Sequence, residues 1–170
     1  MDRHDLLLTL AQIGVTLAAL STVASVFSPR GVESPRDRLS VRLLRDVATV
    51  GMLAAFLSLL PLALDEGSAM VWRWSSAAAA VSWLALFAAF ARSGGPLLRA
   101  SRPHPKFALV PMVLGPLTTL LGMVLLTYNV IAPSTASPQR YALAVMGMLV
   151  IAAMNFLSGA FALRPRPPGT

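Results

Sequence analysis

The chain has 170 residues, of which 56% are apolar and only 12% charged, about half the charged fraction of soluble domains. With a mean hydropathy of +0.69, this composition excludes a water-soluble domain of such length and is better measured against the roughly 20 apolar residues that one helix needs to cross a bilayer. Fourteen basic residues against seven acidic ones give a net charge of +7; they sit in short segments between apolar runs, which points to an anionic lipid surface and not to nucleic acid.

Five stretches stay free of charge long enough to cross: 6–27, 47–64, 74–91, 107–132 and 142–163. A closed barrel would need strict alternation in strands of about ten residues, and runs such as Leu143 to Ala153 do not alternate. The predicted fold is therefore a single all-α membrane domain of five transmembrane helices.

The first stretch is expected to remain as a helix. Met1-Asp2-Arg3-His4-Asp5 before it has no net basic excess, and its apolar run exceeds the roughly 7–15 residues of a signal-peptide core. Thr9, Gln12 and Thr16 share one narrow face of this helix, while Gly14, Ala18, Ser21 and Ser25 form a small-residue face nearly opposite. One face suits hydrogen bonding and the other close packing.

The second helix is predicted to begin before its span. Ser34-Pro35-Arg36-Asp37 places serine at the N-cap, proline at the first helical position and an acidic group in the first turn. From Pro35 to Leu64 such a helix is about 45 Å long, so its first turns project beyond the hydrocarbon. There Arg38, Arg42, Arg45 and Thr49 fall on one face and Leu39, Leu43, Val47 and Val50 on another, an amphipathic collar at headgroup depth. Arg38, Arg42 and Arg45 are the candidate contacts for an anionic lipid or a permeating anion, against the plainer reading that they fix topology. Arg42 and Asp46, four apart, are placed to pair.

Trp72 and Trp74 flank Arg73 at the start of the third span, and Tyr128 and Tyr141 bracket the connection Ala132 to Arg140; all four are read as interfacial anchors. Arg92 to Lys106, punctuated by Gly94-Gly95-Pro96 and Pro103-His104-Pro105, reads as a basic loop able to dock a soluble partner or lie on lipid. In the fourth span Gly115-Pro116 is expected to bend the helix, because Pro116 cannot donate to the carbonyl of Met112. Thr118 or Thr119 can bond back to the chain, or Gln12 or Asn155 can reach across. In the fifth span Ala144, Gly147, Ile151, Asn155, Ser158 and Ala162 form a small and polar stripe about 80° wide. The tail 164–170 is expected to be extended.

Counted on alternate sides of five spans, eleven basic residues fall with the first loop, the third loop and the tail, whereas the other side carries only Arg3, Arg73 and Arg140. The positive-inside rule then puts the N-terminus outside and the C-terminus in the cytoplasm, as in a small bacterial inner-membrane protein.

Catalytic chemistry is not expected. The lack of cysteine removes disulfides and thiol chemistry, no metalloprotease, P-loop or nucleophile-elbow motif occurs, and no ionisable group lies in mid-span. No cofactor or metal is expected; the acidic group Asp2, His4, Asp5, Asp65 and Glu66 is read as solvated. Two functional readings follow. One is a self-associating, channel-like homo-oligomer whose polar faces (Thr9, Gln12, Thr16, Thr119, Asn155, Ser158) line a path gated near Pro116. The other is a non-catalytic accessory or anchoring subunit that holds a membrane or cytoplasmic protein partner, or anionic lipid, through its basic loops. In either, the same polar residues can serve simply as interhelical glue.

Overall fold

The computed structural model describes residues 2–26, 35–64, 68–101 and 105–162, and the side chains of 2–26, 38–64, 68–92 and 114–159. The expected N-cap Ser34, the acidic connection 65–67, the Pro103-His104 segment and the tail 164–170 lie outside the described residues. Five helices follow in order: α1 (Arg3–Val26), α2 (Pro35–Ala63), α3 (Ala69–Ser101), α4 (Pro105–Ile131) and α5 (Ser137–Ala162). All five carry a segment long and apolar enough to span a bilayer, and no strand occurs among the described residues. The chain is an integral, multi-pass membrane protein.

The helix starts explain where the expected boundaries shift. α3 begins five residues earlier than the charge-free run because Arg73 is tolerated near a helix end, and the Ser68 hydroxyl accepts the Met70 amide at 3.3 Å as an N-cap does. α5 likewise begins at Ser137, with Pro138 in its first turn, where a missing N–H costs nothing. The connection from α4 is therefore shorter than Ala132 to Arg140. At the other end α3 runs on through Gly94-Gly95-Pro96 to Ser101, so most of the segment read as a basic loop is helical.

α5 touches all four other helices; α1, α2, α3 and α4 follow one another around it. Successive helices are antiparallel, because rising numbers on one meet falling numbers on the next: 14 with 55 and 18 with 51 for α1 and α2, 83 with 122 and 76 with 129 for α3 and α4, and 118 with 147 and 129 with 137 for α4 and α5. α5 runs antiparallel to α2, 57 meeting 141 and 44 meeting 159, and parallel to α3, 72 meeting 141 and 83 meeting 147, so α2 and α3 are antiparallel too. The start of α1 and the end of α5 consequently lie at opposite ends of the bundle, with Arg3, the end of α2, the start of α3 and the α4–α5 connection at what we term the N-terminal end.

Glycine sets the closest approach. At the α1–α2 crossing, a methyl on Gly14 would lie 2.5 Å from the Gly51 carbonyl oxygen, and one on Gly51 would lie 2.5 Å from that of Gly14. Ala55 and Ala18 complete the seam, so two small-x-x-x-small faces bring the backbones together. Trp83 from α3 does the corresponding work elsewhere. Its ring fills the space over Gly122 of α4, where a methyl would meet it at 2.5 Å, and reaches Gly147 of α5. The bundle exterior is covered by large apolar side chains, including Phe56, Val81, Leu120 and Leu143, as a lipid-facing surface requires.

Candidate functional site

The polar face of α1 points away from the bundle. Leu7, Leu10, Ala11, Gly14, Ala18 and Ser21 are the buried residues of this helix, and Thr9, Gln12 and Thr16 occupy the opposite, exposed side. The two threonines satisfy themselves: the Thr9 hydroxyl donates to the Asp5 carbonyl at 2.7 Å and that of Thr16 to the Gln12 carbonyl at 2.8 Å. Gln12 has no such recourse. Its side-chain amide meets no hydrogen-bond partner among the described residues, and lipid offers it none.

Asn155 and Ser158 are half-buried on α5, and neither bonds to a described side chain. Gln12 lies nine residues after the start of α1 and Asn155 eighteen after the start of α5. Because both helices start at the same end, the two amides differ in depth by about 13 Å at 1.5 Å per residue. They do not meet, and the expected reach of one toward the other is not made.

In α4 the helix is continuous through Gly115 and Pro116. The Thr118 hydroxyl donates to the Leu114 carbonyl at 2.7 Å and that of Thr119 to the Gly115 carbonyl at 2.8 Å. Back-bonding thus occurs, at carbonyls two and three residues beyond Met112. The side chain of Met112 lies outside the described residues.

The arginine collar has the expected sidedness. Arg38 and Arg45 are exposed, Arg42 is half-buried, and Leu39 and Val47 are buried beneath them. Arg42 Nε lies 3.0 Å from Asp46 Oδ1, which leaves Arg38 and Arg45 as the outward charges.

The main buried polar cluster lies at the N-terminal end and has little overlap with the residues singled out from sequence. Asn129, fully buried on α4, donates from Nδ2 to the Ser137 carbonyl at 2.9 Å and to the Ser76 hydroxyl at 3.3 Å. Ser137 Oγ in turn accepts the Ser134 amide at 2.9 Å. This ties α3, α4 and the turn into α5 together. Among the described residues Asn129 Oδ1 and Ser75 Oγ have no hydrogen-bond partner.

Next to it, Tyr141 is fully buried, and so is not the interfacial anchor expected from its place beside a connection. Its ring lies edge-on to Trp72, 5.8 Å between centroids, and its hydroxyl donates to the Leu57 carbonyl at 2.6 Å. That carbonyl is the one left open by Pro61, four residues later inside α2, since proline has no N–H to give back. Trp72 is buried as well, whereas Trp74 and Tyr128 are exposed at 66% and 51% and keep the anchor positions. The signal for Tyr141 was present in Pro61: an imino acid near the end of a span obliges some donor to approach.

Among the described residues no group of three His, Asp or Glu side chains is placed to hold a metal ion. No protein family, curated protein or solved structure matches the chain.

Proposed function

We propose that this chain is a non-catalytic subunit of a homo-oligomeric assembly in a bacterial inner membrane, with a permeation path between subunits and not within one. The observation that carries the reading is the outward direction of the Thr9, Gln12 and Thr16 face on a helix whose other side is closed against α2. An amide is both donor and acceptor, so Gln12 of one copy can satisfy Gln12 of the next, the usual way a polar side chain joins membrane helices. From Thr9 to Thr16 the face extends about 10 Å, a third of the hydrocarbon thickness. That length suits a short polar constriction between apolar walls.

Purified protein in liposomes tests it. Ion or small-solute flux should exceed that of empty vesicles, and Gln12→Leu should reduce it severalfold; absence of flux from wild-type oligomers would refute the permeation role.

The exposure of Arg38 and Arg45 favours a second reading, an anchoring subunit holding anionic lipid or an acidic partner at that end. It gains if flux is absent while a partner co-purifies and is lost on Arg38→Gln, Arg45→Gln substitution.

A further inference from the structure

A cavity of about 280 Å³ opens on the lipid side between α3 and α4, lined by Met70, Arg73, Trp74, Ala77 and Val130. It falls just below the roughly 300–1,000 Å³ of pockets that enclose bulky organic ligands, and it suits a slender chain better. Positions 70, 73, 74 and 77 recur at three and four and so form one face of α3. Met70 and Trp74 are 56% and 66% exposed, which makes the walls apolar on their outer side too.

Among the described residues the one charge on this cavity is Arg73, the fifth residue of α3, about 6 Å along the helix at 1.5 Å per residue and thus at headgroup depth. The neighbouring cation Arg140 is engaged: it lies 4.4 Å from the centre of the Tyr128 ring and donates to Ser134 Oγ at 3.1 Å. Arg3, exposed at the start of α1, lines a separate cleft with Trp72 and Pro138. Arg73 has no carboxylate, hydroxyl or ring against it among the described residues. A guanidinium held at the mouth of an apolar cleft matches a phosphate with a hydrocarbon chain below it.

We propose that this cleft binds a glycerophospholipid with an anionic headgroup, one acyl chain between α3 and α4 and the phosphate on Arg73. The site is separate from the Gln12 face of α1 and from the arginine collar, which lies at the opposite end of the bundle.

Trp74 provides the readout. The protein is placed in phosphatidylcholine bilayers containing a small fraction of lipid brominated on its acyl chains, either phosphatidylglycerol or phosphatidylcholine, and tryptophan quenching is compared; the Trp74→Phe variant isolates the Trp74 contribution from Trp72 and Trp83. Brominated phosphatidylglycerol should occupy the cleft about fivefold more than brominated phosphatidylcholine, the enrichment equivalent to about 1 kcal/mol for one basic group at a lipid surface. Arg73→Gln should abolish that preference. Equal quenching by the two lipids, the result if Asp65 or Glu66 occupies Arg73 instead, overturns the proposal. A preference that survives in Arg73→Gln overturns it equally. Anionic lipid at the Arg38 end lies in the other leaflet, out of reach of Trp74, and does not mimic the result.

Discussion

Tyr141 and Pro61 form a pair that neither residue type announces alone. Proline frees the Leu57 carbonyl and a tyrosine eighty-four positions later donates to it, so an unmet acceptor is answered by another helix. Tyr141→Phe should therefore lower stability by roughly 0.6–1.7 kcal/mol, the range of hydrogen bonds inside membrane proteins. Pro61→Ala restores an N–H to α2, and in that background the same Tyr141→Phe change should cost measurably less. Unfolding of the four proteins from mixed micelles by a denaturing detergent checks this double-mutant cycle. Equal costs in both backgrounds would mean that the hydroxyl contributes independently of the carbonyl that Pro61 leaves open.

At the scale of helices, the glycines divide by what they face. A methyl on Gly14, Gly51 or Gly122 would collide with backbone or with the rigid Trp83 ring, whereas one on Gly115 would meet nothing within 4 Å. Gly14→Ala and Gly122→Ala are expected to destabilise by about 1–3 kcal/mol through overpacking. Gly115→Ala should be neutral or stabilising by up to about 1 kcal/mol, because only backbone freedom is removed. The same micellar unfolding series measures all three, and a costly Gly115→Ala would show that the Gly115-Pro116 step needs its glycine after all.

These elements also show what the sequence made legible. Five charge-free runs locate five helices, and the Pro35 start of α2 was readable because cap chemistry is local. The small face of α1 was visible as Gly14, Ala18 and Ser21, but its partner Gly51-x-x-x-Ala55 emerges only when two helices are placed side by side. Helix ends were less secure. Arg73, Arg92 and Arg140 each interrupt a hydropathy run without interrupting a helix, since arginine has good helical propensity and can extend its charge to the interface. Of the candidate site, the direction of the Thr9, Gln12 and Thr16 face relative to its neighbours could not be read from one helix. Nor could the difference in depth between Gln12 and Asn155.

For the molecule as a whole, the arrangement is inverted with respect to a self-contained transporter. Its interior polar groups Asn129, Ser76 and Ser137 bond to one another or to backbone across α3, α4 and α5, with Asn129 Oδ1 and Ser75 Oγ left over among the described residues, while the amide of Gln12, likewise without a partner among them, faces outward. In the proposed assembly a bundle built this way is completed externally, by another copy supplying the partner that Gln12 lacks. The absence of native cysteine allows that contact to be mapped without background. Thr16→Cys lies on the Gln12 face and keeps the glutamine; Leu120→Cys, on α4, is equally exposed to lipid but distant from α1.

Oxidation of the two single-cysteine proteins in native membranes, followed by non-reducing electrophoresis, puts the claim to its most direct trial. Thr16→Cys should give a disulfide-linked dimer, Leu120→Cys should not, and adding Gln12→Leu to Thr16→Cys should abolish the dimer. If Thr16→Cys stays monomeric, or dimerises as readily without the glutamine, then α1 is not joined to a second copy through Gln12 and the proposed assembly is wrong.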